Sequence, residues 1–281
     1  MLLYAKDMNQ IVTPTWLFKN KHKEELIILD ASLEKTADGK PSEWAGKTIP
    51  ESRFFDLKRC FSDTEAPFPN TIPKPEQFEK ESQKLGINSS SNIVIYDNMG
   101  TYSSPRAWWL FKVMGHANVS VLDGGLPQWI SEGYPTSSDH STSKNPGNFR
   151  SMPQSQWVKS YEEIKENINS DVFQVIDARS AGRFNGSKEE PRKHLQSGHI
   201  AGSVNIPYQE VLKDGKYKSK EELQRLFQEK SGNRQDLVFS CGSGLTACII
   251  MLAGQIAGQD SLAVYDGSWT EWAELEGLKK G

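Results

Sequence analysis

Cysteine is scarce in this chain. Cys60, Cys241 and Cys248 are the three present among 281 residues, an odd number with no Cys-x-x-Cys pair. That excludes a disulfide framework and a cysteine-based zinc site. His22, His116, His140, His194 and His199 share no ligand spacing with one another or with cysteine, so neither metal nor other cofactor is expected. No apolar run approaches the length of a membrane span. Lys and Arg are dispersed without a basic block, and the net charge of -3 argues against nucleic acid or an anionic membrane as the main partner. The opening MLLYAKDMNQIV lacks a basic segment followed by a sustained apolar one, so no signal peptide is expected and a reduced, cytoplasmic protein fits.

What the chain does have is a concentrated stretch at 236–248, Asp-Leu-Val-Phe-Ser-Cys-Gly-Ser-Gly-Leu-Thr-Ala-Cys. Leu237, Val238 and Phe239 form a short buried strand ending at Ser240, and the apolar run from Leu245 to Gly258 is long enough for a helix stopped by glycine. Cys241 therefore sits where a strand hands over to a helix start. Gly242 and Gly244 let the backbone curl so that N–H groups can face the sulfur. Amides at a helix start carry partial positive charge, which favours thiolate over thiol. A cysteine beside an apolar helix is ordinarily a small buried hydrophobe; the Gly-x-Gly hinge shifts the reading of Cys241 to a nucleophile. Cys248, further along the helix, reads as buried, and Cys60 as structural.

The length suggests about two domains. Strands are expected at 25–30, 93–97 and 119–122, and helices over 75–85, 107–114 and around Trp129. A proline-rich loop spans 62–75. A second pass repeats the order. A strand over 172–177 ends in Asp-Ala as at Asp30-Ala31. Cys241 lies 144 residues after Asp97, and Asp266-Gly267 lies 143 after Asp123-Gly124. Landmarks in one order at nearly constant offset read as a tandem duplication. Strands alternating with helices make each copy an α/β domain, a central parallel sheet flanked by helices. The domains are expected at 1–135 and 153–281, joined by a polar linker over 136–152. Ligands of such sheets sit beyond the carboxyl ends of the strands, where Cys241 falls. The first copy carries Asp97 there, and a carboxylate cannot do sulfur chemistry, so the N-terminal domain is expected to be catalytically silent.

A duplicated α/β domain with an active cysteine only in its second copy resembles the two-domain rhodaneses, from about Val12 to Gly277. The loop Cys241-Gly242-Ser243-Gly244-Leu245-Thr246-Ala247 is similar to the Cys-Gly-Ser-Gly-Val-Thr-Ala loop of the 3-mercaptopyruvate sulfurtransferase branch of that family. Ser104-Pro105-Arg106-Ala107-Trp108-Trp109, Asp177-Ala178-Arg179, Gly182-Arg183-Phe184 and Ser197-Gly198-His199-Ile200 agree with the same family. The resemblance implies transfer of sulfur from 3-mercaptopyruvate through a Cys241 persulfide to a thiol such as reduced thioredoxin, or to cyanide, with release of pyruvate. It implies substrate recognition by Arg183 and Arg192, whose guanidinium groups suit a carboxylate with a neighbouring carbonyl. Gly242, Gly244, Leu245 and Thr246 would line the substrate loop. Ser243 either assists proton transfer or is a small loop residue supplying an amide.

Two positions depart from the family pattern. Asn70 stands where many members have a histidine proposed to act in a relay with the loop serine, and an amide cannot act as a base. Lys47-Thr48-Ile49-Pro50-Glu51 replaces a Gly-His-Ile-Pro-Gly motif in the first copy, which fits a silent domain. Thiosulfate is the alternative donor, though a doubly charged anion would want cations within the loop. A cysteine phosphatase needs arginine six residues after the cysteine, where Ala247 stands. A non-catalytic binding or redox-sensing module is the remaining alternative; loss of the cysteine would be its mark, and Cys241 is present.

Overall fold

The computed structural model describes residues 9–36 and 39–280. Residues 1–8, on which most of the expectation about a leader rests, lie outside the described residues. The chain divides into two compact units. Residues up to Ser62 together with Pro73–Gln154 form one, and Asp63–Ile72 together with residues from Ser155 onward form the other.

The first unit contains strands β1 (Ile11–Val12), β2 (Leu26–Asp30), β3 (Arg53–Phe54), β4 (Asn92–Tyr96) and β5 (Val119–Leu122). They form one parallel sheet in the order β1-β5-β4-β2-β3. Helices α1 (Pro14–Asn20), α2 (Pro75–Lys84), α3 (Ser104–Val113) and α4 (Gly125–Ser131) flank it. The apolar runs of β2 and β4, and the fully buried β5, mark strands covered on both faces. The core Ile27, Ile28, Ile93, Val94 and Val121 is accordingly almost fully buried. Helix α3 starts at Ser104, three residues before the expected Ala107, because Pro105 falls in the first turn, where its missing N–H is not needed. Residues 137–152 run along this unit. Ser137 pairs with Thr48, Ser141 donates its N–H to Ser52 O at 2.8 Å, and Phe149 is buried.

The second unit contains β6 (Val158–Lys159), β7 (Gln174–Asp177), β8 (Val204–Asn205), β11 (Asp236–Ser240) and β12 (Ser261–Tyr265), parallel in the order β6-β12-β11-β7-β8. A small antiparallel hairpin, β9 (Leu212–Lys213) and β10 (Lys216–Tyr217), stands apart from this sheet. The helices are α5 (Tyr161–Ser170), α6 (Ala181–Phe184), α7 (Lys220–Ser231), α8 (Ala247–Ala257) and α9 (Ser268–Leu275). Helices α5 and α7 were not foreseen, although each opens on a capping box, Ser160 with Glu163 and Ser219 with Glu222. Helix α8 is apolar on all sides and buried, as a core helix should be.

The two sheets share one topology, in agreement with the repeat read from the sequence. Asp30 pairs with Tyr96 in one sheet and Asp177 with Ser240 in the other, so Asp97 and Cys241 follow equivalent strand ends. The hydrogen bonds around those ends recur. Ala31 N–H donates to Tyr96 O at 2.9 Å, and Ala178 N–H to Ser240 O at 2.8 Å. Leu126 N–H meets Asp97 O, and Trp269 N–H meets Cys241 O, both at 3.0 Å.

Candidate active site

Cys241 follows the central strand of the second sheet and is 2% exposed. The loop that begins there is fastened by the start of α9. Ser268 Oγ accepts the N–H groups of Cys241 and Gly244, both at 3.1 Å, and donates to Tyr265 O at 2.9 Å. Thr270 donates through its N–H (3.1 Å) and its hydroxyl (2.5 Å) to Gly242 O. Ser268 is fully buried and holds a φ of +52°, a left-handed conformation unusual for serine. Helix α8 begins at Ala247, two residues later than the apolar run suggested, so Leu245 and Thr246 remain in the loop. The amides of Cys241 and Gly244 are thus committed to Ser268. Those of Gly242, Ser243, Leu245 and Thr246 have no acceptor among the described residues.

Ser268→Gly keeps the backbone comfortable at positive φ and deletes the acceptor of two buried amides. Each unsatisfied amide costs about 1–3 kcal/mol. We expect a lower urea midpoint together with a lower kcat/KM for sulfur transfer. If neither changed, the fastening role would be wrong.

A buried cluster of charges adjoins this loop. Arg179 is fully buried and stacks on Trp269 with its guanidinium carbon 4.6 Å from the ring centre. It binds Asp177 Oδ2 at 2.6 Å, Gly198 O at 2.7 Å and Glu190 Oε1 at 2.7 Å. Glu190, 1% exposed, also takes Arg183 through Nε at 3.0 Å and Nη2 at 2.6 Å. One carboxylate therefore clamps two guanidinium groups. Burial alone would raise its pKa, but Arg183 and Arg179 outweigh it and hold the Glu190 carboxyl below its ordinary value. Glu190 was not singled out from the sequence. Its neighbour Glu189 is the same residue type but lies exposed against Lys280, and composition alone does not separate the two.

Both predicted arginines reach the loop. A Cβ placed on Gly242 would lie 2.8 Å from Arg183 Nη2 and 3.8 Å from Arg192 Nη1, so the glycine makes room for guanidinium nitrogen over the backbone. Arg192 is half-buried, and its guanidinium makes no hydrogen bond or ion pair with any described residue. Burial lowers its pKa from the ordinary value, opposed by the charges of Cys241 and Glu190 and aided by repulsion from Arg183.

Asn70 sits with the second unit on the segment 63–72. Its Nδ2 donates to Ser243 O at 3.0 Å and Ser243 Oγ at 2.9 Å. The segment is pinned by Ile72 N–H on Asp266 Oδ2 at 2.8 Å. Asp63 accepts Glu65 N–H at 3.0 Å, a turn bond within its own loop. His199 stacks on Phe184 and bonds its carbonyl at 2.9 Å, which holds its own loop. Of the other thiols, Cys248 is buried on α8 and donates to Gly244 O at 3.2 Å. The Cys60 thiol is pushed up by burial and by the nearby Glu81 and Asp56.

In the first unit the position equivalent to Cys241 closes on itself. Asp97 Oδ2 accepts the N–H groups of Tyr102, Ser103 and Ser104 at 2.9, 3.0 and 2.9 Å and the Ser104 hydroxyl at 2.7 Å. Oδ1 takes Met99 N–H at 2.9 Å. The carboxylate occupies its own loop. Among the described residues no group of three or more His, Cys, Asp or Glu could hold a metal ion, and no helix is long and apolar enough to cross a membrane.

The model of the rhodanese-like domain matches the chain twice, over residues 13–132 and 160–275, and the chain belongs to the rhodanese family of sulfur-transferring enzymes. Within that family, it is 44% identical over 255 residues to the 3-mercaptopyruvate sulfurtransferase of Rattus norvegicus, covering 89% of this chain and 85% of the relative. It is 39% identical over 272 residues to the thiosulfate sulfurtransferase of the same organism, covering 93% and 91%. Its fold matches the crystal structure of SseA from Escherichia coli, described among 3-mercaptopyruvate sulfotransferases, with a TM-score of 0.81 and 30% identity over 93% of this chain and 99% of that one.

Proposed function

We propose that the protein transfers sulfur from 3-mercaptopyruvate to a thiol such as thioredoxin, or to cyanide, through a persulfide on Cys241. The observation that carries this reading is the half-buried, unpartnered Arg192 guanidinium beside Arg183 above Gly242, next to the cysteine. A buried cation without a carboxylate is costly unless a ligand supplies one. An α-keto acid offers a carboxylate and a carbonyl in one plane, the pattern that guanidinium donors grip best. Its thiol sulfur would then lie towards Cys241, and the loop amides of Gly242, Ser243, Leu245 and Thr246 would face the anionic adduct. The loop itself carries no cation, which favours this donor over thiosulfate. The second unit is the catalytic domain in this reading and the first is silent. Three free cysteines suit a reducing, cytoplasmic setting.

Steady-state rates with the two donors test the proposal. We expect kcat/KM for 3-mercaptopyruvate to exceed that for thiosulfate by roughly tenfold or more, the scale of one differential charged contact. Faster transfer from thiosulfate would overturn the donor. Arg192→Ala removes a charge-assisted contact of about 1.5–3 kcal/mol, so KM for mercaptopyruvate should rise roughly 10- to 100-fold with kcat little changed. An unaltered KM would remove Arg192 from the binding site.

A further inference from the structure

One edge of the first sheet carries open backbone groups beside a cavity. Strand β3 pairs with β2 only at Leu29 and Asp30, through Arg53 and Phe54. Leu26, Ile27 and Ile28 have β4 on one side and no strand on the other. Backbone groups of successive strand residues point to opposite sides. Glu25 O takes Asn92 N–H and Ala31 N–H meets Tyr96 O, both at 2.9 Å, so the odd-numbered residues face β4. Leu26, Ile28 and Asp30 face the other way. Asp30 O takes Phe55 N–H at 2.8 Å, and Leu26 N–H turns back to Lys23 O at 3.0 Å. Ile28 N–H and Leu26 O have no partner among the described residues, although Ile28 is only 3% exposed. A buried backbone donor without an acceptor is uncommon.

The cavity along this edge has a volume of about 230 Å³, and Lys21, Leu26, Ile27, Ile28, Glu51 and Arg53 are among the residues that line it. Three consecutive strand residues line one cavity through their backbone, because their side chains alternate between faces. Charges of both signs surround it. Arg53 is half-buried, gives its one hydrogen bond to Leu85 O, and forms no ion pair with any described residue. Burial holds its pKa below the ordinary value. Glu51 offers one carboxylate oxygen to Lys21 at 2.7 Å, and its other oxygen bonds no described residue.

We propose that this cavity binds a small zwitterion, an α-amino acid, whose carboxylate meets Arg53 and Ile28 N–H and whose ammonium meets Leu26 O and Glu51. A guanidinium grips a carboxylate through paired donors, and a strand edge supplies the donor and acceptor that a single added residue can use. A simple carboxylate would leave Leu26 O and the Glu51 oxygen without a donor, and an amine would leave Arg53 without its anion. The volume, room for roughly seven waters, suits one amino acid, and an open edge of three residues is too short for an extended peptide. The site lies wholly within the first unit and is independent of the sulfur donor that Cys241 uses.

The amide resonance of Ile28 in the full chain reads this site directly, apart from any anion held at Arg183 and Arg192. Titration with L-alanine should shift it saturably, with a Kd of roughly 1 mM. Propionate, which lacks the ammonium, should bind roughly tenfold or more weakly, and inorganic sulfate should give no saturable shift. Arg53→Gln should weaken L-alanine by roughly tenfold or more. Glu51→Gln changes an exposed side chain and should weaken L-alanine by roughly threefold, while propionate binds as before or more tightly because Lys21 loses its partner. That opposite response decides the matter if Arg53→Gln fails to fold. Equal affinity for L-alanine and propionate, or L-alanine binding unchanged in either variant, would overturn the assignment. An Ile28 amide unmoved by all three probes would mean that the cavity holds only water, and the site would fall.

Discussion

Cys241→Ser will stop sulfur transfer from both donors and leave the fold in place. The substitution exchanges one atom at a site 2% exposed, and the hydrogen bonds that fasten residue 241 run through its backbone N–H and C=O, not through the side chain. Serine oxygen is a poor nucleophile at neutral pH and cannot hold a transferable sulfur atom, so the proposed persulfide would have no substitute. Loss of a covalent nucleophile elsewhere costs on the order of 10⁴-fold or more in kcat, and the same scale applies here. Pyruvate and thiocyanate release measure the loss. Intact mass of the protein after exposure to donor alone should show one added sulfur on the wild type and none on the variant. Cys60→Ser should retain transfer, because that thiol is raised by burial and by Glu81 and Asp56. Transfer persisting in the Cys241 variant would send the search to another thiol.

Glu190→Ala is expected to be the most damaging substitution for stability among the charged residues described. The carboxylate is 1% exposed and lies against Arg179, itself fully buried, and Arg183. Its removal leaves Arg179 with Asp177 as its one carboxylate and Arg183 without a counter-ion next to Arg192. Breaking one side of a buried ion cluster costs about 3–5 kcal/mol, well beyond what a surface pair is worth. Urea unfolding of the two proteins measures the difference. The dependence on pH gives an independent check. The folded-state pKa of Glu190 lies below the ordinary 4.5, so its contribution is present above that value and is lost as the pH falls through the folded one. The gap between wild type and variant should therefore narrow in acid below about pH 4.5 and stay wide at neutrality. A cost within about 0.5 kcal/mol at neutrality, the usual range for surface changes, would sink the account of this cluster. The variant should also lose affinity for an anionic donor, since Arg183 is aimed at the loop by Glu190.

The parts of this molecule that could be read from its sequence are those written in contiguous residues. The strand Asp236–Ser240, the glycine loop and the buried helix after it follow from an apolar run, two glycines and a second apolar run. That helix starts two residues after the apolar run does, because apolar character begins at Leu245 while the backbone is still turning. Helices α5 and α7 could have been found from Ser-x-x-Glu at their first turns, a signal overshadowed by their many polar residues. Strands of two residues such as β3 and β8 carry no period at all; their existence depends on the neighbours they pair with. The Asn70–Ser243 contact joins residues 173 apart in the chain, and no local pattern announces it. Nor does any pattern announce Ser268, whose importance comes from the two amides that share its oxygen. Glu190 is of the same kind: an acid before a proline is ordinary until burial between arginines gives it a task.

The carboxylate of Asp97 can be viewed as a ligand attached by its own backbone. Tethering raises effective concentration far above that of a dissolved small molecule, into the millimolar range or higher even for flexible connections. The four N–H groups and one hydroxyl that Asp97 holds are therefore closed to any free anion the cell offers. The equivalent loop after Cys241 carries no such tethered occupant, and four of its amides stay open. One strand-end architecture thus occurs twice within a single chain, once with its loop donors held by a carboxylate tethered to its own backbone and once with a cysteine in that place.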